Sequence, residues 1–221
     1  MSTLLASLPV KAYYDRRAPE YDEWYAGTGP FAARERPAWN EELTALLEAL
    51  AGLAPARTLD VGCGTGYLTR HLRGFRVGCD QSAAMLARAR AQAPGVPLVR
   101  GDALALPFAD GTFERVFAGQ LYGHLLPDER RAFLAEAHAV GGELVVVDAG
   151  PQGGLARDEW QERVLRDGSS HRVYKRSFTG SSLAAELGGG RVLHEGGWFV
   201  AVSSPSEKIR RSAAPQEGFG D

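Results

Sequence analysis

Residues 57–72 read RTLDVGCGTGYLTRHL, and this stretch decides the fold. An apolar run is followed by three glycines in five positions, Gly62, Gly64 and Gly66. Glycine loses the most backbone freedom on folding, so three of them in one turn indicate that bare backbone is needed there. A tight turn alone seldom needs three glycines, and the pattern therefore predicts a loop that approaches a ligand.

Around this loop the chain alternates between apolar strand patterns and amphipathic helix patterns. Asn40 is expected to cap the first helix, and Gly74 to end the second. The predicted helices cover residues 40–55, 67–74, 83–93 and 127–140. The predicted strands are ARTLDVG, FRVGCD, VPLVRGD, FERVFAGQ and GELVVVDAG. Such alternation predicts an α/β fold in which helices cover both faces of a mostly parallel sheet.

The second half of the chain departs from this rhythm. The pair Asp167-Gly168 between apolar runs predicts a hairpin, and two strands joined at Gly196-Gly197 follow a short helix. We expect a single domain over residues 1–202, with N-terminal helices at 13–55 and a substrate lid at 149–180. Residues 203–221 lack periodicity and are predicted to form a flexible tail.

Composition excludes several classes of protein. The formal net charge of −2 gives no field for holding a nucleic acid backbone. No apolar run approaches eighteen residues, so no membrane span is expected. The N-terminus lacks the leading positive charge of a signal peptide, which predicts a cytoplasmic protein. The two cysteines, Cys63 and Cys79, lack the spacing of a metal site or a disulfide framework, so no metal is expected.

The residues beside the glycines restrict the ligand. A dinucleotide loop reads G-x-G-x-x-G, but Tyr67 stands where its third glycine would be. Asp60 precedes the loop, and its carboxylate would repel a pyrophosphate and attract an ammonium group. No G-K-[ST] follows, which excludes the phosphate-binding loop of nucleotide hydrolases. The pattern therefore points away from a phosphorylated ligand.

Three acids follow or end successive strands of the predicted sheet. Asp80 lies twenty residues after Asp60, in the position that binds a ribose diol, and Asp102 follows the third strand. A ligand with an amino acid end, a ribose and a purine would use all three carboxylates. S-adenosylmethionine has these parts, and its product is S-adenosylhomocysteine. One such acid alone would more simply be a helix cap or a solvated loop residue.

The segments LDVGCGTG, GCDQSAAML and GDALALPF, in this order and spacing, resemble the motifs of class I S-adenosylmethionine-dependent methyltransferases that act on small molecules. YYDRRAPEYDEWY, residues 13–25, resembles the opening of the ubiquinone and menaquinone methyltransferase-like branch, the methyltransferase type 11 domain. The resemblance implies a Rossmann-like three-layer α-β-α sandwich with a seven-stranded, mostly parallel sheet. Its last strand would be antiparallel.

The resemblance also implies the residues that contact the cofactor. Asp60 and the glycine loop would hold the methionine end, Asp80 the ribose, and Asp102 with Ala103 the adenine. The full set expected at the cofactor is Tyr14, Tyr21, Asp60, Gly62, Cys63, Gly64, Gly66, Asp80, Gln81, Met85, Asp102, Ala103 and Gln120.

Methyl transfer to a hydroxyl group needs a base, whereas a phosphonate, a carboxylate or a phenolate needs none. His124, just beyond the fourth strand, is the candidate general base, and a structural histidine bonded to backbone is the alternative. The segment RVLRDGSSHRVYKRSF is similar to a stretch of phosphonate O-methyltransferases, which implies that Arg172 and Lys175 grip an acidic substrate. Tyr25 and Tyr122 complete the expected substrate contacts.

The expected function is methyl transfer to an oxygen or nitrogen atom of a small molecule, in a monomer or a homodimer. [DNS]-P-P-[YF] is missing after the fourth strand, which disfavours methylation of nucleic acid bases. Two alternatives stay open. One is a nicotinamide-dependent oxidoreductase, disfavoured by Tyr67, and the other is a regulator that binds S-adenosylmethionine without catalysis.

Overall fold

The structure is a computed structural model, and it describes residues 4–33, 35–151 and 158–205, with side chains from Lys11 onward. The helices are α1 (Leu4–Arg17), α2 (Glu23–Ala26), α3 (Trp39–Ala51), α4 (Ala83–Gln92), α5 (Pro127–Val140) and α6 (Gly180–Glu186). The strands are β1 (Thr58–Val61), β2 (Arg76–Asp80), β3 (Leu98–Arg100), β4 (Phe113–Gly119), β5 (Gly141–Ala149), β6 (Asp158–Val164), β7 (Ser170–Arg176), β8 (Arg191–Glu195) and β9 (Phe199–Pro205).

Seven strands form one sheet in the order β3-β2-β1-β4-β5-β9-β8. The neighbours from β3 to β5 are parallel, and β9 runs antiparallel to both β5 and β8. The order reverses between β1 and β4, which is where an open sheet of this kind leaves a crevice at its carboxyl edge. The predicted fold class is confirmed, including the antiparallel last strand.

Alternating side chains of the central strands build two cores, one on each face of the sheet. On one face Val116 and Val146 pack in a cluster with Phe133 of α5 and Leu183 of α6. On the other face Phe117, Val145 and Val147 pack with the α3 residues Leu46 and Leu50. Each large apolar side chain that leaves water contributes roughly 1.5–3 kcal/mol, so both layers of helices are held by the sheet.

The hairpin β6–β7 stands apart as a two-stranded antiparallel sheet. It turns at the predicted Asp167-Gly168 pair, where Gly168 has a φ of +81°. Leu165 and Val173 of this hairpin form a small apolar cluster with Tyr13 of α1, and Tyr14 packs against it. The hairpin and α1 therefore contact each other.

Three local predictions differ from the structure. Only a 3₁₀ turn, Thr69–His71, occupies the place of the predicted second helix. α3 begins after Ala38, so Asn40 lies inside the helix rather than capping it. β9 continues to Pro205, which places residues 203–205 in the sheet rather than in a tail.

Some of the sequence-based predictions fall on other parts of the chain. The tail from residue 206 onward and lid residues 152–157 lie outside the described residues. Within the described residues, no helix combines the length and apolar character needed to cross a bilayer.

Gly66 and Gly111 offer a matched test of what the glycine loop needs. Both have a left-handed φ, +80° and +67°, but a Cβ on Gly66 would meet the Ala93 Cβ at 3.2 Å, whereas one on Gly111 meets nothing within 4 Å. We expect Gly111→Ala to lower the free energy of unfolding by about 1 kcal/mol, from backbone strain alone. Gly66→Ala should cost about 2–3 kcal/mol, because α4 must also move. Urea denaturation measures both, and equal losses would contradict the packing argument.

Candidate cofactor and acceptor site

A cavity opens at the carboxyl ends of β1, β2 and β4, beneath the N-terminal helices and the β6–β7 hairpin. Eleven residues predicted for the site line it: Tyr14, Tyr21, Gly62, Gly64, Asp80, Gln81, Met85, Asp102, Ala103, Gln120 and His124. The fold thus brings together side chains that lie more than a hundred positions apart in the sequence.

The glycine loop and Asp80 form one hydrogen-bonded unit at the floor of the cavity. The backbone N–H groups of Gly64 and Ser82 donate to the two oxygens of the Asp80 carboxylate, at 2.9 and 2.8 Å. Burial raises the pKa of Asp80. A Cβ on Gly64 would meet only the Tyr21 ring, at 3.9 Å, so bare backbone at this position leaves room in the cavity.

Asp60, Cys63 and Gly66 do not line the cavity. Asp60 is buried in β1, where one carboxylate oxygen accepts a 2.5 Å hydrogen bond from the Thr69 hydroxyl and the other has no partner among the described residues. Burial raises its pKa to about 7, against the lowering effect of the Thr69 bond. Gly66 instead packs on α4, and Cys63 lies against β2 at Gly78.

One end of the cavity wall is formed by α4 and by the segment that follows β3. Met85 is buried there, next to the chain segment of Asp102 and Ala103. One Asp102 oxygen accepts from the backbone N–H of Leu104 at 2.9 Å, and the side chain is exposed. This end can take a flat group between an apolar side chain and backbone.

Gln120 follows β4 in a left-handed conformation, with a φ of +57° that is unusual for a residue with a side chain. Its backbone N–H donates to the Val147 carbonyl at 2.8 Å, and its side-chain oxygen accepts from Lys175 Nζ at 3.3 Å. Because the oxygen faces Lys175, the amide orientation is set, and Nε2 has no acceptor among the described residues. A buried N–H without a partner is costly, so a ligand atom would stabilise it.

Lys175 is itself held by Asp148, which is fully buried and lies one residue before the end of β5. Lys175 Nζ lies 2.5 Å from an oxygen of the Asp148 carboxylate, and the backbone N–H of Gly123 donates to the other oxygen at 2.7 Å. Burial lowers the pKa of Lys175, although Asp148 opposes that shift. Lys175 does not line the cavity, but it positions Gln120, which does.

His124 is placed by a bond to the hairpin. Its Nδ1 lies 2.7 Å from the Tyr174 carbonyl of β7, which can only accept, so Nδ1 carries the proton. The lone pair is therefore on Nε2. Burial lowers the pKa of His124 well below its usual value, and the nearby cations Lys175, Arg163 and Arg17 add to this effect. The imidazole is neutral at pH 7, as a general base requires.

Three other predicted substrate residues lie outside the cavity wall. Tyr25 stacks on Tyr67 with ring centroids 3.8 Å apart, in the α3-side core. Tyr122 is buried on the other face, and its hydroxyl lies 3.2 Å from a Glu186 oxygen. Arg172 is exposed on β7, with its guanidinium 4.9 Å from the Trp160 ring centroid.

Sequence reasoning missed the apolar wall of the cavity. This wall consists of Leu121, Leu125, Leu126, Trp160 and Tyr174, with Glu129 beside them. The three leucines and Glu129 lie within nine residues after Gln120 in the chain, so their closeness to Gln120 could have predicted that they line the cavity. Trp160 and Tyr174 come from the hairpin, and the local sequence pattern does not show that their side chains face the cavity.

Two further cations lie close to the cavity. Arg17 lies over the rings of Tyr13 and Tyr21, at 5.7 and 5.5 Å from their centroids, and Arg163 donates to the Tyr13 hydroxyl at 3.3 Å. Neither guanidinium pairs with a carboxylate of the described residues, whereas Lys175 does. Neither guanidinium lines the cavity, but both are close enough to lower the pKa of His124.

Residues 58–141 match the protein family described as "Methyltransferase domain". They include the glycine loop, Asp80, Asp102, Gln120 and His124. This stretch of the chain is similar to methyltransferase domains, and the resemblance to the S-adenosylmethionine-dependent class is confirmed.

Curated relatives include quinone methyltransferases. The chain is 32% identical over 152 residues to the 2-phytyl-1,4-naphtoquinone methyltransferase of Thermosynechococcus vestitus, covering 58% of this chain and 65% of the relative. It is 30% identical over 164 residues to the demethylmenaquinone methyltransferase of Renibacterium salmoninarum, covering 71% and 66%. The match thus spans less than two thirds of either relative.

Among solved structures, the chain is similar to two of DhpI. The complex described as DhpI-SAM-HEP is 26% identical with a TM-score of 0.73, covering 93% of this chain and 100% of that one. The DhpI-SAH complex is 25% identical with a TM-score of 0.68, covering 89% and 95%. These structures share the fold over most of the chain.

The donor set fits S-adenosylmethionine. Asp80 offers a carboxylate at the cavity floor, Gly64 leaves space that a Cβ would fill, and Gln120 offers an unpaired N–H. Bare backbone, an acid and an amide suit a nucleoside with an amino acid end, and they do not form the phosphate cradle of a dinucleotide loop.

Asp60 gives a pH-dependent prediction for the unliganded protein. Its folded pKa of about 7 lies above the unfolded value of 3.8, so its contribution to stability is present at low pH and is lost as pH rises towards 7. Relative to Asp60→Asn, the wild type should lose about 2 kcal/mol of unfolding free energy between pH 5 and pH 8. Urea titrations at a series of pH values measure this, and parallel curves for the two proteins would contradict it.

Proposed function

We propose that this protein is an S-adenosylmethionine-dependent methyltransferase that transfers a methyl group to an oxygen atom of a small acidic molecule. The observation that carries the proposal is the neutral His124, fixed by the Tyr174 carbonyl, on the wall of a cavity that also contains the glycine loop and Asp80. The methyltransferase domain match supports the reaction class.

The cofactor, when bound, supplies a methyl group on a positively charged sulfur that activates it for displacement. The chain's own residues would hold it: Asp80 at the ribose, backbone of the glycine loop and Gln120 at the amino acid end, and Met85, Asp102 and Ala103 at the purine. Tyr14 and Tyr21 line the cavity from the N-terminal helices, and aromatic faces attract a sulfonium cation.

His124 would remove the proton from an acceptor hydroxyl through its Nε2 lone pair. The Tyr174 carbonyl fixes the tautomer and stabilises the imidazolium that forms, because it accepts from Nδ1–H in both states. Methyl transfer also requires that the acceptor oxygen and the methyl group are aligned and that water is excluded. Leu121, Leu125 and Trp160 would do this as an apolar wall.

The charges around His124 support an acidic acceptor. Arg17 and Arg163 have no carboxylate partner among the described residues, and both lower the pKa of His124. A bound anion would compensate these buried cations and raise the pKa of the base towards neutrality. Arg163 does not line the cavity, but it lies close enough to lower the pKa of His124, so we assign to it, rather than to the exposed Arg172, the charge that balances the acid group of the acceptor.

The quinone substrates in the names of the curated relatives suggest a second candidate, an aromatic acceptor. The apolar wall of leucines and Trp160 favours it. Turnover with hydroxyquinones and with hydroxy acids separates the two classes.

His124→Gln tests the base. We expect kcat to fall by about 10²–10⁴-fold, because proton removal is lost, while the affinity for S-adenosylhomocysteine stays unchanged. The measurement is turnover of methyl-labelled cofactor against a panel of small hydroxy acids and hydroxyquinones, together with calorimetric titration of S-adenosylhomocysteine. In the wild type, the acid limb of kcat/KM should lie below pH 6.5, since the depressed pKa keeps the free base unprotonated there. No binding of S-adenosylhomocysteine would contradict the proposed function itself.

Arg163→Ala tests the acidic acceptor, with Arg172→Ala as its matched control on the same hairpin. Removing Arg163 should raise the KM for hydroxy acids about tenfold or more, because a nearby positive charge that attracts the acid group is lost. Arg172 is exposed and should change KM less than twofold. Equal effects of both variants, or unchanged KM in Arg163→Ala, would argue for the aromatic acceptor instead.

A further inference from the structure

The N-terminal segment contains the pair Tyr-Asp twice, at Tyr14-Asp15 and at Tyr21-Asp22. In both pairs the tyrosine lines the cavity. The aspartate of each pair accepts a hydrogen bond from a hydroxyl in a loop at the sheet's carboxyl edge, and the two loops are different ones.

Asp22 holds the glycine loop. The hydroxyl of Thr65, between Gly64 and Gly66, donates to one Asp22 oxygen at 2.6 Å, and the Gln92 amide of α4 donates to the other. Thr65 is 1% exposed and does not line the cavity, so its hydroxyl serves this bond rather than a ligand.

Asp15 holds the loop after β2. The hydroxyl of Ser82 donates to Asp15 at 2.5 Å, and the backbone N–H of the same Ser82 donates to Asp80. Lys11, one helical turn earlier, pairs with the other Asp15 oxygen at 2.5 Å. Asp15 therefore acts on Asp80 through a single intervening residue.

We propose that Asp15 and Asp22 are positioning residues for the cofactor, and that they couple closure of the tyrosine-bearing segment to the shape of the glycine loop and the Asp80 loop. Each aspartate bonds to one loop outside the cavity, and the neighbouring tyrosine lines the cavity. A ligand that holds the two loops in place then also strengthens the attachment of residues 11–31, and by linkage that attachment strengthens ligand binding.

This inference rests on the proposed function, since its ligand is the cofactor. Asp15 and Asp22 would contact neither the cofactor nor the acceptor. In this inference they hold the neighbouring tyrosines, Tyr14 and Tyr21, in position at the cavity. Hydrogen bonds to a charged acceptor are among the stronger ones, so their loss should be measurable as affinity.

The test is calorimetric titration of the full chain with S-adenosylhomocysteine. Thr65→Val removes the hydroxyl with little change of shape, and Thr65→Ser keeps it. We expect Thr65→Val and Asp22→Ala each to weaken binding about tenfold, and Thr65→Ser to bind as the wild type does. The double variant Asp22→Ala/Thr65→Val should be no weaker than Asp22→Ala alone, because Thr65→Val removes a bond that Asp22→Ala has already removed.

Asp15→Ala tests the contact with the other loop independently, and we expect it to weaken S-adenosylhomocysteine binding about tenfold as well. Glu23→Ala is the control, since Glu23 lies in the same segment but pairs with Arg166 of the hairpin, and binding should change less than twofold. Hydrogen exchange of residues 11–31 is the second readout. S-adenosylhomocysteine should slow exchange there in the wild type and fail to do so in Thr65→Val.

Binding within twofold of wild type in Thr65→Val, Asp22→Ala and Asp15→Ala overturns the inference and leaves the proposed function intact. Additive losses in the double variant overturn it as well, because the two residues would then act separately. If the wild type does not bind S-adenosylhomocysteine, the proposed function fails instead, and the coupling fails with it.

Discussion

The bond that the site depends on is the one between the Gly64 backbone N–H and the Asp80 carboxylate, because it joins the loops after β1 and β2 into one surface. Parallel pairing of β1 with β2 places the two loops side by side. Gly64 also has a left-handed φ of +54°. Ser82 completes the arrangement from the cap of α4.

A second set of contacts gives the cavity its chemistry. Asp148, at the end of β5, holds Lys175 of the hairpin, and Lys175 holds Gln120 after β4. The Tyr174 carbonyl next to Lys175 holds His124. The inserted hairpin is thus fixed to the sheet by a buried ion pair, and in return it sets the orientation of an amide and the tautomer of a base. Breaking such a pair leaves a buried charge, so the arrangement is held firmly.

Much of the site was predictable because cofactor residues in this fold lie at strand ends, and strand ends can be read from a sequence. Asp80, Asp102 and Gln120 were located in this way, and all line the cavity. Asp60, expected by the same reasoning, lies within β1, bonds to Thr69 and does not line the cavity. The sequence did not show whether Arg172 or Arg163 faces the cavity. Side chains along a strand point alternately to its two faces, and the charges of an isolated hairpin do not fix its register.

The sequence by itself determined the alternating α/β order, the glycine loop, the acids at the strand ends and the reaction class that they indicate. These features are local, being set by periodicity of two or 3.6 residues and by the special backbone of glycine. The tertiary structure alone decided which side chains reach the cavity, the neutral state of His124 and the contacts of Asp15 and Asp22 with the two loops. Burial, protonation and long-range hydrogen bonds depend on what lies opposite a residue in space, and no local pattern specifies that.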